Sequence, residues 1–243
     1  MRVLVLDGAQ AGAQARALVA CVSVTPEGCV VARAHEVEGR GGSEGFPLLA
    51  RDLLAACGWS MPMLDMVAVV VGPGSFTGLR ASVAFAQGLA LGLGCDVIGV
   101  TTGEALADAL RAHVVSADMR VLCCSVARRG RAFVESIPAR NGAEIGEVRA
   151  VMLDDPTALP SGPLLLAGNA AADLAAACAQ GRDDVHVLAL SRPDACAIAR
   201  VAMLRREGVL APRAVLPLYV DPPEAKLPAA GLRPPPRKAD GGT

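Results

Sequence analysis

Aromatic side chains are nearly absent: the 243 residues hold four Phe, one Trp and one Tyr, 2% of the chain. A core made without rings is built from Ala, Val and Leu in closely packed helices and strands, and the shortage argues against stacking chemistry. Charge of one sign is missing too. The 23 basic and 24 acidic side chains leave a formal net charge of −1, so no global field draws the chain to nucleic acid or to an anionic membrane. Any RNA contact has to be local or made by a partner. No CxxC pair occurs among Cys21, Cys29, Cys57, Cys95, Cys123, Cys124, Cys178 and Cys196. Most of them sit in apolar runs and read as buried, reduced thiols of a reducing compartment. The histidines His35, His113 and His186 form neither HxxxH nor HExxH, so neither a zinc protease nor a two-histidine iron site is written locally, and no metal is expected.

Long apolar runs are lacking as well. The opening MRVLVLDGAQ offers four apolar residues before Asp7, too few for a signal-peptide core, and the stretch 83–100 is broken by Gln87, Asp96 and four glycines. The expectation is a cytoplasmic protein with no membrane contact. Its length suits one two-lobed domain or two small ones.

What is present is alternation of strands and helices. Residues 2–6 and 18–24 read as strands, with a weaker one over 29–37. A helix with Phe46, Leu49, Leu53 and Cys57 on one face follows, then a buried strand at 66–71, a helix over 75–93 and a strand at 96–100. Next come a helix over 102–112, a hairpin of 120–126 and 131–137 around Arg128-Arg129-Gly130, a buried strand ending at Gly168, and helices over 170–179 and 193–206. The pattern predicts a layered α/β or α+β fold. It divides into a first lobe over 1–102, a second over 103–221 whose last helix returns to the first, and a disordered Pro/Gly-rich tail over 222–243.

The informative stretch is VAVVVGPGSFTGLR, residues 67–80. A strand runs into Gly72, Pro73 and Gly74, and Ser75, Thr77 and Gly78 open a helix whose amides are free to meet an anion. Yet no Lys follows, as a P-loop requires, and the glycines miss the dinucleotide spacing. A capped strand-to-helix turn explains the residues at least as well. Ser75 lies in no GxSxG motif, and no histidine is placed to activate it. Asp7-Gly8 after the first strand suggests the phosphate loop of actin-like ATPases, but the residues from Ala9 to Gln14 carry no hydroxyl.

Across 75–93 the conspicuously polar residues are Thr77, Arg80, Ser82 and Gln87, so this helix is expected to be buried on more than one side. One face, with Phe76, Leu79, Val83, Ala86, Ala90 and Leu93, suits a sheet. The other, with Ala81, Ala84, Phe85, Gly88 and Gly92, admits a second helix closely. That helix is either 46–57 of the same chain or one from a partner.

The segment VVVGPGSFTGLRASVAFAQGLALGL, continuing to VIGVTTGEAL, closely resembles the TsaB (YeaZ) family. Weaker echoes are Ser43-Glu44, SVARRGRAF at 125–133, LLLAGNAA at 164–171 and PLYVDPPEAK at 217–226. The resemblance implies a two-lobed actin-like (ASKHA, ribonuclease H-like) fold. It also implies a non-catalytic role in forming N6-threonylcarbamoyladenosine at position 37 of tRNAs that read ANN codons. The implied partners are a TsaD-like catalytic paralogue and a TsaE-like ATPase; ATP is used by the complex as a whole, tRNA is met mainly through it, and homodimerisation when alone stays open. The candidate interface comprises Phe46, Leu49, Leu53, Phe76, Arg80, Ala81, Ala84, Phe85, Gly88 and Gly92. Against the family pattern, Asp7-Gly8-Ala9 replaces Asp-Thr-Ser/Ala, and Val126 and Arg131 replace acidic residues, which argues against nucleotide binding by this chain. The rival class is a stand-alone enzyme, a phosphotransferase of the same fold or a metalloprotease.

Overall fold

The computed structural model describes residues 1–12, 15–39, 41–128, 130–138, 146–155 and 157–220. The Pro/Gly-rich tail, Arg129, Ala13 and Gln14 therefore lie outside the described residues.

Apolar runs dictate the first sheet. Strands β1 (Arg2–Asp7), β2 (Arg16–Thr25), β3 (Gly28–Glu38), β4 (Met66–Gly72) and β5 (Asp96–Thr101) lie in the order β3-β2-β1-β4-β5. The first three are antiparallel, and β4 and β5 run parallel to β1. Continuous apolar sequence in β1 and β4 means burial on both faces. Leu4, Leu6, Val67 and Val69 meet α1 (Phe46–Ala56) and α2 (Phe76–Leu93) on one side. Val3, Val5, Ala68 and Val70 meet Ile198, Ala199 and Ala202 of the last helix, α5 (Ala195–Arg206), on the other.

The second sheet repeats the plan. Strands β6 (Arg120–Val126), β7 (Arg131–Ile137), β8 (Val148–Met152), β9 (Leu164–Ala167) and β10 (Val185–Val187) lie in the order β10-β9-β6-β7-β8, with matching directions. Leu106 and Leu110 of α3 (Thr102–Arg111) cover one face; Ala171, Leu174 and Cys178 of α4 (Ala171–Cys178) cover the other. Helix α3 follows the first sheet yet packs on the second, and α5 follows the second yet packs on the first. A buried ion pair joins them: Glu104 meets Arg205 at 2.5 Å and Arg213 at 2.8 Å, and Arg205 also donates to the Gly99 carbonyl. All eight cysteines are free. No helix among the described residues is long and apolar enough to cross a membrane.

Candidate functional site

The glycines of the GPGSFTG stretch answer a backbone demand. Ser75 caps α2 by accepting from the Gly78 amide at 3.3 Å, and its own amide donates to the Ala9 carbonyl at 2.7 Å. This seats the loop against the turn that follows β1. A Cβ at Gly74 would strike the Ala9 carbonyl oxygen, and one at Gly78 the Gly8 carbonyl oxygen. Two strand ends can clasp here because Gly74 and Gly78 bring no side chain to the crossing.

The same turn holds Asp7, which is buried and accepts from the Ala9 amide at 2.8 Å. Burial pushes its carboxyl up to about 6, against the lowering pull of that amide and of the Arg192 charge. Across the seam Asn169 accepts from the Val126 amide at 2.9 Å and donates to the Ala11 carbonyl at 3.3 Å, latching one lobe to the other. Sequence reasoning missed this residue, although a Gly-Asn step after a buried strand was a signal for a positioned amide. The cleft between Asp7, Ala9, Thr102, Ser125 and Asn169 encloses about 10 Å³, room for about one water. Among the described residues no group of three His, Cys, Asp or Glu is placed to hold a metal.

Beyond the loop, α2 exposes an arc of its surface. Ala84, Gln87, Gly88 and Gly92 are exposed, and Leu91 is 87% exposed. A Cβ at Gly88 or Gly92 would meet nothing within 4 Å, so the 46–57 helix does not cover this arc. Ala81 and Phe85 flank it, half-buried. Leu91, which the sequence reading left out, is its most prominent apolar member.

Two expected placements need correction. Phe46 is enclosed in the first lobe's core with Ala50 and Leu54, so it is a packing residue rather than a surface one; Leu49 and Leu53 are half-buried in the same cluster. Phe76 does not pack on the sheet but is 40% exposed. It is held by Arg80, whose guanidinium lies 3.7 Å over its ring. Ser82 is fully buried, its hydroxyl donating to the Gly78 and Leu79 carbonyls. The segment after α5 also returns to α2, since Gln87 donates to the Val215 carbonyl at 2.7 Å and the Arg80 Nε to the Tyr219 hydroxyl at 2.7 Å.

Residues 32–156 match the family model of TsaD, tRNA N6-adenosine threonylcarbamoyltransferase. The chain is 36% identical over 106 residues to the tRNA threonylcarbamoyladenosine biosynthesis protein TsaB of Escherichia coli K12, covering 43% of this chain and 45% of that protein. It is 39% identical over 85 residues to the tRNA N6-adenosine threonylcarbamoyltransferase of a Jannaschia species, covering 34% of this chain and 21% of that enzyme. The matches thus span less than half the length of either relative. Among solved structures, YeaZ from Pseudomonas aeruginosa superposes with a TM-score of 0.64 at 22% identity, over 90% of this chain and all of that one. Another P. aeruginosa structure, described as similar to peptidase YeaZ, gives 0.66 at the same identity. These likenesses show the fold, which is the two-lobed actin-like one.

Proposed function

Since this chain belongs to the family of tRNA N6-adenosine threonylcarbamoyltransferase and the TsaB/YeaZ proteins, we propose that it acts in forming N6-threonylcarbamoyladenosine at position 37 of ANN-reading tRNAs as a binding subunit, not as the catalyst. Its partner is a TsaD-like paralogue, joined by a TsaE-like ATPase, with ATP used by the assembly. The observation that carries the reading is the open arc of α2. Ala84, Gly88 and Gly92 leave a shallow surface beside the exposed Leu91, and among the described residues nothing comes within 4 Å of a Cβ built at Gly88 or Gly92. Small residues allow the backbone of a second helix to come close, and an apolar side chain at the rim gains by being covered. The non-catalytic part draws support from the Asp7 turn, where the carboxylate is turned inward onto the Ala9 amide and the adjoining cleft has room for about one water.

Gly88→Arg tests the reading. Burying an unpaired charge in a helix contact costs about 3–5 kcal/mol, so the affinity for the paralogue falls roughly 100-fold or more. The variant's own melting curve stays native, because the added side chain points into open space in the free chain. Calorimetric titration with the purified paralogue and circular dichroism of the same sample read both. Unchanged affinity would sink the proposal.

A further inference from the structure

Two of the six aromatic rings, far apart in sequence, meet at the surface. The Phe76 and Tyr219 centroids stand 5.6 Å apart with planes tilted by 44°, and the rings' residues are 40% and 50% exposed. The Arg80 guanidinium lies against both rings, 3.7 Å from the Phe76 centroid and 5.4 Å from that of Tyr219, while its Nε holds the phenol oxygen. From the other lobe, Arg128 in the turn between β6 and β7 brings a second guanidinium to 6.0 Å from the Phe76 centroid. No carboxylate pairs with Arg80 or Arg128 among the described residues. Rings are scarce in the chain as a whole, yet the fold gathers two rings and two cations at one place.

We propose that Phe76, Arg80, Arg128 and Tyr219 form a contact site for single-stranded RNA, with an unpaired base lying on the half-exposed Tyr219 ring and an adjacent phosphate held by Arg128. This rests on the reading of the chain as part of a tRNA-modifying assembly and assigns it a contact of its own with the anticodon loop. Unpaired bases stack on aromatic rings and on guanidinium planes, and phosphates recruit arginine. A paired helix has no free base face to offer. A partner protein's carboxylate would satisfy the guanidiniums but leave the open ring faces unused, so the combination favours RNA over an acidic peptide. A chain of net charge −1 gains little from a general field, which makes two guanidiniums with no carboxylate partner among the described residues the more telling. Helical rise puts Arg80 about 12 Å from Gly88 along α2, so the proposed partner surface and this site occupy different parts of one exposed arc.

The test is fluorescence anisotropy with the full chain and an ANN-reading anticodon stem-loop RNA. Tyr219→Ala weakens binding about tenfold or more, whereas Tyr219→Trp, which keeps a stacking ring, retains it. Arg128→Gln lowers the slope of log affinity against log salt by about 0.7, the value for one phosphate contact on a single strand. A fully paired RNA of equal length binds more weakly than the stem-loop. Circular dichroism confirms that each variant melts as the unaltered chain does. Equal affinities for the unaltered chain and Tyr219→Ala, an unchanged salt slope, or no saturable binding overturns the site. So does a result in which Tyr219→Ala and Arg128→Gln release the paralogue but not the RNA. Gly88→Arg keeps RNA affinity while losing the paralogue, so failure of the binding-subunit reading is distinguishable from failure of this one.

Discussion

The two lobes share one strand plan and differ in what they leave uncovered. In each, a loop after the fourth strand of the lobe touches the end of the first: the Ser75 amide reaches the Ala9 carbonyl at 2.7 Å, and the Ala170 amide reaches the Cys124 carbonyl at 3.1 Å. A glycine beside each contact leaves no room for a Cβ, Gly74 in the first lobe and Gly168 in the second. The helices that follow diverge. Helix α4 has eight residues and buries Ala171, Leu174 and Cys178. Helix α2 has 18, buries Leu79, Val83, Ala86 and Ala90, and still presents an open arc from Phe76 to Gly92. A repeated frame is held by backbone contacts that tolerate little change; the element that outgrew the frame is the one with surface to spare for a partner.

The exchange of helices between lobes gives the sharpest way to break this picture. Arg205 of α5 and Glu104 of α3 are both buried and paired at 2.5 Å. Burial opposes the charge on Glu104, but the Arg205 hydrogen bond, the Thr101 amide and the nearby Arg213 outweigh it and hold the carboxyl below its ordinary range. Arg205→Ala leaves that carboxylate buried without its main partner, and the expected loss is about 3–5 kcal/mol. Urea unfolding monitored by circular dichroism measures it. A loss under 1 kcal/mol would mean that the lobes are not clasped through this pair.

Besides Glu104, each lobe buries a carboxyl near the seam, Asp7 in the first and Glu135 in the second. Glu135 accepts from the Gly103 amide at 2.8 Å and from the Thr101 hydroxyl, and it faces Glu104, Arg213 and Cys123. Burial, the largest influence, raises it to about 7, and Glu104 adds to the rise, while Thr101, Gly103 and Arg213 pull it down. Between its ordinary value of 4.5 and about 7 the folded chain keeps a proton that the unfolded chain gives up, so this group's contribution to stability falls as pH rises through that window. The ceiling on the effect is on the order of 3 kcal/mol. Glu135→Gln flattens it, and comparing urea midpoints of the two proteins across pH 4.5 to 7 isolates the difference. Parallel curves would show that Glu135 ionises freely in the fold.

Much of the frame was legible because burial on both faces leaves unbroken apolar runs. The runs of β1 and β4, the hairpin of β6 and β7, and α2 with its Ser75 cap all follow from such local signals. The second sheet's edge strands were not legible. β10 has three residues, none fully buried, and in β8 only Val151 is buried, so neither shows a clear alternation. The candidate site was readable in part. Small residues at Ala84, Gly88 and Gly92 marked the open arc, but periodicity placed Phe76 on the sheet side. Its true surroundings depend on Tyr219 and Arg128, whose arrival no local pattern announces.

Glycine substitutions offer the smallest and finest comparison, since they separate glycines the frame requires from those that merely leave a surface open. At Gly78 an added methyl meets the Gly8 carbonyl oxygen, and at Gly168 the Cys124 backbone. Neither obstacle is a flexible side-chain end, and φ at Gly168 is +102°, so backbone must shift in each case to admit the methyl. Gly78→Ala and Gly168→Ala are each expected to cost at least about 1–3 kcal/mol. At Gly88 the methyl meets nothing within 4 Å, and in an exposed helix interior Ala is favoured over Gly by roughly 0.5–1 kcal/mol. Gly88→Ala should therefore raise Tm while the two frame variants lower it, in either lobe alike. A fall in Tm for Gly88→Ala would mean that something covers the arc in the free protein, a second copy of the chain being testable by sedimentation, and the surface assigned to the partner would then be occupied before the partner arrives.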